Sequence, residues 1–320
     1  MVLFFSACST KEVFKPTVVG DDWSKYGEID ENIIDTSLNV ALLEDGRVLT
    51  NDGVMDVNVN EKDRAISYSD GWIISASLDG NMTLTSVNDK SLTQNFALKK
   101  TVAGASVKDD MLAVLFADNE LALYFISTKE LFFKEQGSQS LAVNTKIVNP
   151  HFLKDLVIFS TLDGKIVIVN SKLKKKLRTV IVSAEDNFNN VIYFNMVDNK
   201  IIAATGYKIL SMSDKEIRAQ YEIRNIVYDG KNIFVATKQG EVVSLTPNLE
   251  VNAKIKFPFA HFLGMISDED KLYILERAGY VIVLDKNMVD YTVHEADVSD
   301  GFIFVGDKEF YINDEKILIK

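Results

Sequence analysis

Few side chains in this 320-residue sequence are of the types that usually carry out metal or nucleophilic chemistry. There are three histidines, His151, His261 and His294, and one cysteine, Cys8. No two histidines have the spacing of an HxH or HExxH pair and a single thiol cannot complete a cysteine-rich site, so no zinc site of the usual kinds can be built. The acidic stretch Asp268-Glu269-Asp270 lacks the alternating ligands and central glycine of a calcium loop. The sequence therefore predicts no metal site, no cofactor and no catalytic residue.

The densest basic run is KLKKKLR, which contains Lys174, Lys175, Lys176 and Arg178. The rest of the sequence is acidic, with 46 Asp and Glu against 35 Lys and Arg and a net charge of −11. Because such a field repels phosphate backbones, we expect no nucleic acid partner. The run itself is typical of a solvated hairpin tip. Its alternative interpretation is a basic patch for anionic lipid headgroups or an acidic partner, where each basic residue contributes ~1 kcal/mol.

Cys8 has a chemistry of its own because of the residues that precede it. The sequence begins MVLFFSACS, a short apolar run followed by small residues and the cysteine, and it resembles the lipobox of bacterial lipoproteins. In that family the peptide before the cysteine is removed, and the acylated cysteine holds the protein on a membrane. The resemblance implies lipidation of Cys8, and Ser9 favours the periplasmic face of the outer membrane. The alternative is an incidental thiol.

A hairpin pattern recurs along the rest of the sequence. Residues 156–170, LVIFSTLDGKIVIVN, read as two apolar strands joined by Asp-Gly, a pair that accepts the positive φ of a tight turn. Eight segments share this shape, with turn residues Gly46, Gly80, Asn119, Gly164, Gly206, Gly240, Gly279 and Asp307. Successive turns lie 34, 39, 45, 42, 34, 39 and 28 residues apart. A period of about 40 residues is the length of four short strands with their turns.

Single four-stranded sheets of this kind cannot cover both of their faces. Copies must therefore pack on one another, and a closed ring leaves no end uncovered. Runs such as 166–169 and 281–284 are apolar at successive positions, which indicates burial on both faces, whereas 174–179 is polar and typical of an outer edge. The sequence predicts an all-β fold, an eight-bladed β-propeller with four-stranded antiparallel blades. Seven blades are the alternative, because two copies lack the turn glycine.

The propeller is expected to be one domain, since only four prolines and no Ser/Gly-rich linker occur. We assign residues 1–7 to a residual signal peptide, 8–32 to a lipidated tether and lead-in segment, and 33–320 to the propeller. Trp23 and Tyr26 are expected to pack outside the ring or to close one end. The strands of the last copy are expected at Val298, 302–305, 310–313 and 317–319.

The segments LDGKIVIVNSKLKKKLRTV and QGEVVSLTPNLEVNAKI resemble the PQQ-type propeller repeat. Together with the lipobox, they are similar to the BamB family, the lipoprotein propellers of the outer-membrane β-barrel assembly machinery. The tryptophan that closes the repeat is replaced here, for example by Val180, Ile255 and Val293. Quinone-dependent dehydrogenases share the repeat, but their vicinal disulfide cannot be built from one cysteine. The resemblance implies a binding protein and not an enzyme.

Two segments that are expected to connect neighbouring blades carry the candidate partner-binding residues. Residues 257–262, FPFAHF, place three phenylalanines in six positions, where they either plug the central channel or form an exposed anchor for a partner. In the BamB family, connections of this class meet the barrel-forming subunit. The resemblance therefore implies, by position alone, that residues 183–190 contact a partner; a polar turn is the alternative. The candidates are Phe188, Asn189, Phe257, Phe259 and Phe262.

These features predict a non-catalytic, lipid-anchored periplasmic scaffold. Its expected role is to assist outer-membrane β-barrel protein assembly, as a monomer within a complex, through protein contacts with the barrel subunit. The alternatives are an adaptor of another envelope complex or an adhesin and, less favoured, a propeller enzyme. An enzyme would require histidine, arginine and carboxylate side chains that converge at the hub of the ring.

Overall fold

The computed structural model describes residues 12–197 and 199–319. Within them the regular structure consists of 32 strands and no helix, and the strands form eight four-stranded antiparallel sheets. In each sheet the strands follow one another in chain order, except where the two ends of the chain meet. The predicted eight-bladed β-propeller is confirmed.

The first strand, β1 (Tyr26–Glu28), precedes the blades. Blade 1 consists of β2 (Ile33–Thr36), β3 (Ala41–Leu43), β4 (Arg47–Thr50) and β5 (Gly53–Asn58). Blade 2 consists of β6 (Arg64–Ser69), β7 (Trp72–Ala76), β8 (Asn81–Ser86) and β9 (Thr93–Ala97). Blade 3 consists of β10 (Val102–Lys108), β11 (Met111–Phe116), β12 (Glu120–Phe125) and β13 (Leu131–Gln136). Blade 4 consists of β14 (His151–Leu153), β15 (Leu156–Ser160), β16 (Lys165–Asn170) and β17 (Lys175–Ile181).

Blade 5 consists of β18 (Tyr193–Val197), β19 (Lys200–Ala204), β20 (Lys208–Met212) and β21 (Glu216–Gln220). Blade 6 consists of β22 (Ile223–Tyr228), β23 (Ile233–Thr237), β24 (Glu241–Leu245) and β25 (Val251–Lys256). Blade 7 consists of β26 (Phe262–Asp268), β27 (Lys271–Glu276), β28 (Tyr280–Asp285) and β29 (Tyr291–Glu295). Blade 8 consists of β30 (Ile303–Val305), β31 (Glu309–Ile312), β32 (Glu315–Leu318) and β1.

The core lies between neighbouring blades and not inside any one of them. The two middle strands of blade 4, β15 and β16, have no exposed position, while its outer strand β17 is exposed at all but one position. One apolar cluster joins β23 and β24 to β27 and β28, and similar clusters join the other blades. The continuous apolar runs in the sequence are therefore explained by burial on both faces of each sheet.

Blade 8 differs from its prediction. Its outer strand is β1, which pairs with β32 so that Tyr26 lies opposite Ile317, and Val298 lies in no strand. Asp307 lies in the turn between β30 and β31, and the central hairpin turns at Asn313, which has a φ of 55°. The turn at Asn313 lies 34 residues after Gly279, a spacing also found between Gly46 and Gly80 and between Gly206 and Gly240. The division at residue 33 was therefore wrong, because the segment before it supplies the strand that closes the ring.

The lead-in, residues 12–25, runs along the outside of blades 6 to 8. Phe14 is buried between these blades, at the edges of the Phe257 and Tyr280 rings. Farther along, the Gly20 and Trp23 amides donate to the carbonyls of Val293 and Glu295 in β29, at 2.8 and 2.7 Å. The Trp23 indole donates to the Leu318 carbonyl at 3.0 Å. Of the two alternatives for Trp23 and Tyr26, packing on the outside of the ring is the one observed.

One face of the ring carries both the central hairpin turns and the connections between blades, and we call it the loop face. In most blades the residue after the outer strand donates its amide to the turn residue of its own blade, as in Val182 to Gly164 at 2.9 Å and Phe257 to Gly240 at 2.7 Å. A Cβ on Gly240 would overlap the Phe257 carbonyl, and the φ of Gly240 is 77°. Glycine at these turns therefore allows each connection to lie against its own blade.

Candidate functional site

An apolar groove on the rim of the ring has a volume of about 770 Å³. One wall is the lead-in, residues 12–18 and Gly20, and the other is formed by residues 256–259 and 291–293. Phe14, Phe257 and Val293 are buried beneath it. We call this site the blade 6–7 groove.

Several of the exposed side chains that line the groove are apolar. Phe259 is 59% exposed, Val18 is 76% exposed, and Val13 and Tyr291 are about half exposed. Contiguous exposed apolar surface of this kind marks an interaction site more often than an ordinary solvated face. The groove can bind apolar side chains of a partner, and its residues offer no constellation for catalysis.

The loop that carries Phe259 is held rigidly. His261 donates its amide to the buried Glu276 carboxylate at 2.8 Å, and its carbonyl accepts from Arg277 at 3.0 Å. The other Glu276 oxygen accepts from the Ala278 amide at 2.7 Å, and burial raises the pKa of this carboxyl group above its usual range. Phe257 packs edge-on against the rings of Phe14, Phe262 and Tyr291. The loop is therefore preorganised for binding.

Phe259 itself lies in a backbone conformation that large residues avoid. The Ala260 amide donates to the Phe257 carbonyl at 3.1 Å, which closes a turn with Pro258 second and Phe259 third, and the φ of Phe259 is 65°. The third position of such a turn favours glycine or asparagine. Leu249 and Met288 also have positive φ, but both are buried and gain packing energy in return. Phe259 is exposed, so the fold alone does not explain its side chain.

Phe188, in the connection between blades 4 and 5, also combines a positive φ with an exposed side chain on the loop face. Its φ is 52° and it is 51% exposed, and its amide donates to the Ala142 carbonyl at 2.9 Å. The neighbouring Asn189 is buried, and its amide nitrogen donates to the carbonyls of Ser183 at 3.0 Å and Asp163 at 3.2 Å. Phe188 is available to a partner, whereas Asn189 shapes the connection.

The structure divides the five candidates for partner binding. Phe259 and Phe188 are exposed, but Asn189, Phe257 and Phe262 are each 2% exposed. The channel plug predicted for residues 257–262 is wrong, because Phe257 and Phe262 pack into the core between blades 6 and 7 and do not line the channel. Sequence reasoning missed the lead-in wall of the groove, although Val13, Phe14 and Val18 are apolar residues in the segment before the first blade.

The hub of the ring is narrowed instead by the connection between blades 3 and 4, residues 137–150. Its Lys146 ammonium donates to the Arg224 carbonyl at 2.8 Å and to Asn225 Oδ1 at 2.7 Å, both on the inner strand of blade 6. A cavity of about 320 Å³ remains. Its walls, in the described residues, carry Lys146 and Arg224 but no carboxylate and no histidine.

The basic run extends from the turn before β17 into that strand. Lys176 pairs with Glu135 of blade 3 at 2.5 Å, and Arg178 pairs with Glu216 of blade 5 at 2.5 Å. The Lys174 ammonium lies 5.6 Å from the Phe125 and Phe132 ring centres. Exposed pairs of this kind contribute little stability. They nevertheless leave the charges of Lys176 and Arg178 paired with carboxylates of the same chain. This favours the solvated interpretation of the run, including Lys175, over a basic patch for lipid.

Cys8 and the residues expected to form a signal peptide lie outside the described residues. Among the residues that are described, no group of three or more His, Cys, Asp and Glu side chains is arranged to hold a metal ion. No helix in the same ranges is long and apolar enough to span a membrane.

Two curated relatives share sequence with almost the whole chain. Both are named plasminogen-binding protein PgbB, from Helicobacter pylori strains J99 and 26695; they are 28% and 27% identical over 350 residues, and the matches cover 95% of this chain. The chain spans 65% and 64% of their lengths. No protein-family model matches.

Solved propellers share the fold. BamB from Moraxella catarrhalis superposes with a TM-score of 0.71 at 11% identity, over 91% of this chain and 98% of that one. The computationally designed Ika8 protein has a TM-score of 0.65 at 12% identity, over 93% and 99% of the two chains. The C-terminal WD40 domain of Sif2 has a TM-score of 0.64 at 12% identity, over 93% and 98%. The chain has a BamB-like eight-bladed propeller fold, and its relatives by sequence are named for binding a protein.

Proposed function

We propose that this chain is a non-catalytic protein-binding scaffold of the bacterial envelope, attached to a membrane through lipid on Cys8, and that its partner docks at the blade 6–7 groove. The observation that carries the proposal is Phe259, which is exposed in a left-handed conformation on a loop that is held by hydrogen bonds on both sides of it. A side chain that gains little from the fold is best explained by a contact outside it.

The chemistry of the groove defines the partner. Its open surface is apolar and aromatic, and its rim carries Glu12, Lys15 and Lys256. A matching partner inserts one or two apolar side chains between Phe259 and the lead-in and surrounds them with polar groups, as at other interfaces with a small energetic centre. Because the edge of β29 already pairs with Gly20 and Trp23, addition of a partner strand there is blocked at these positions.

Outer-membrane β-barrel protein assembly is the role we favour. BamB has the same fold over 98% of its length. The lipobox resemblance at Cys8 adds the periplasmic location that this role requires. A rigid ring with a preorganised docking loop also suits a scaffold, because little conformational entropy is lost when it binds.

Surface binding of plasminogen is the second candidate. It is favoured by the 28% identity to PgbB, which exceeds the identity to any of the propellers compared above. It corresponds to the adhesin alternative, and it requires the chain to reach the outside of the cell, whereas barrel assembly requires the periplasm.

Affinity capture of the tagged full chain from detergent-solubilised membranes separates these roles. We expect barrel-assembly subunits to co-purify with the wild type and to be depleted with Phe259→Asn. The control is Leu78→Asn, which changes a side chain that is 70% exposed on blade 2. Binding of purified chain to immobilised plasminogen, without barrel subunits in the capture, would establish the second role instead. Capture of neither partner would end the proposal.

Membrane attachment is tested separately by fractionation of cells that carry Cys8→Ala. The substituted chain should move to the soluble fraction while its thermal unfolding remains unchanged. Retention in the membrane fraction would contradict lipid anchoring.

A further inference from the structure

Arg224 occupies an unusual position at the hub. It is the bulged residue of β22, because Ile223 pairs with Thr237 and Asn225 pairs with Ala236, which leaves Arg224 without a partner in the ladder. Bulges re-aim a side chain, and they are frequent beside binding sites.

Three other inner strands have the same bulge, which provides a comparison within one molecule. The register shifts at the corresponding positions of blades 1, 3 and 7. The bulged residues there are Ile34, Ala103 and Leu263. An apolar side chain therefore satisfies the fold at this position, and the arginine of blade 6 is an exception that the propeller does not require.

The charge of Arg224 is uncompensated. Its buried Nε has no hydrogen-bond partner in the described residues, and the side chain forms no ion pair there. Burial, and then the charge of Arg277, lowers the pKa of the guanidinium. Arg277 is itself shared with Asp300, at 3.3 Å. A buried donor left unsatisfied destabilises the fold, and more strongly when the group is charged.

A second cation lies beside it. Lys146 bonds to the Arg224 carbonyl and to Asn225, so two of its three donor positions are used and one remains. Burial, together with the charge of Arg224, lowers the pKa of Lys146 to about 8. Two like charges are thus held together in a cavity with no carboxylate on its walls, in a protein whose net charge is −11.

We propose that the hub cavity is a binding site for a small oxyanion, a free carboxylate or phosphate solute, held by Arg224 and Lys146. The guanidinium offers planar paired donors that match either group, and the ammonium adds a point charge. The cavity of about 320 Å³ has room for a compact solute. The nearby Tyr193 and Asn225 side chains supply further polar groups at its wall.

The test is thermal unfolding of the full chain in sodium phosphate or sodium succinate, against sodium chloride at the same ionic strength. We expect a ligand present at about 100 times its Kd to raise the Tm of the wild type by about 4 °C. Arg224→Leu, which installs the residue found in blade 7, should raise the Tm in chloride, because the uncompensated charge is removed, and should abolish the response to anions. Lys146→Met should weaken binding at least tenfold.

The matched control is Arg64→Gln, which removes an inner-strand arginine that pairs with Asp35 at 2.7 Å and should leave the anion response unchanged. Equal responses of the wild type and Arg224→Leu, or no response of the wild type to either anion, would overturn the site. A lower Tm of Arg224→Leu in chloride would do the same, since it would show that the arginine stabilises the fold. Capture of a protein partner at the rim groove does not depend on any of these outcomes.

Discussion

Substitution of Phe259 by asparagine separates the binding role of the groove from its contribution to stability. Asparagine tolerates positive φ, so the change removes the conformational cost of about 1 kcal/mol that a larger side chain carries at φ 65°. Phe259 is 59% exposed, and the buried remainder of the ring contributes about 1 kcal/mol. The two terms nearly cancel, and the free energy of unfolding should change by less than about 1 kcal/mol.

Thermal unfolding gives the first measurement. For a chain of 320 residues the entropy of unfolding is about 0.7 kcal/mol/K, so 1 kcal/mol corresponds to about 1.5 °C. The Tm of Phe259→Asn should therefore lie within about 1.5 °C of the wild type. Phe257→Asn provides the contrast, since Phe257 is 2% exposed and its replacement should cost about 3–5 kcal/mol.

Affinity for the captured partner gives the second measurement. Burial of the exposed part of Phe259 contributes about 1–2 kcal/mol to binding, which predicts a Kd about 5 to 30 times higher for Phe259→Asn. Biolayer interferometry on the purified pair measures this ratio, with Leu78→Asn as the control. An unchanged Kd would show that the groove is not the interface. A Tm more than about 3 °C below the wild type would show that the Phe259 side chain stabilises the fold. The inference that its positive φ reflects a role in binding would then fail.

Three further outcomes follow from the structure. Lys146 should raise the free energy of unfolding by at most about 3 kcal/mol between pH 8 and pH 10.5. Its folded-state pKa of about 8 lies below its unfolded value, so the unfolded chain binds more protons in this window. Urea titrations of the wild type should show this rise of stability with pH, and Lys146→Met should lack it. Gly164→Ala should lower the free energy of unfolding by about 2–3 kcal/mol, since the added Cβ would overlap Asn189. Gly230 has a similar φ but open space around it, so Gly230→Ala should lower it by about 1 kcal/mol. Calorimetry measures both losses, and equal losses would contradict this expectation. Trp23→Phe should lower the free energy of unfolding by about 1 kcal/mol, because one hydrogen bond is lost, and should speed hydrogen exchange in β1 and β32. Unchanged exchange would mean that the indole does not stabilise the pairing of these two strands.

The repeat was readable from the sequence because each central hairpin combines apolar runs with a turn that needs a special residue. Gly46, Gly164 and Gly240 all have positive φ, and Asn119 adopts it without being glycine. The same reasoning failed in blade 8, where Asp307 stands between strands in a similar pattern but turns the chain one strand too early. Local pattern could not reveal that the fourth strand comes from the far end of the chain.

The candidate sites were less predictable, because they depend on contacts between distant segments. Three phenylalanines within six positions were visible, but only the hydrogen bonds around residues 257–261 decide that Phe259 points out while Phe257 points in. The pairing of Lys146 with blade 6 joins residues 78 and 79 positions apart in sequence. The 45-residue spacing between Asn119 and Gly164, the longest in the series, was the one available signal for the segment that enters the hub.

The pairing of β1 with β32 in blade 8 imposes an order on folding. Trp23 bonds to Leu318 across 295 positions, so β1 must wait for the last strands of the chain before it finds its place. Bringing such distant ends together costs about 5 kcal/mol of chain entropy. The three pairs between β1 and β32, the Trp23 contacts and the backbone bonds of Gly20, Ile29 and Leu318 offset this cost locally. Contacts this remote slow folding, and the unsealed ring would meanwhile expose the edges of β32 and β29 to other chains. The chain is therefore most prone to aggregation in the interval between formation of its final blade and docking of its first strand.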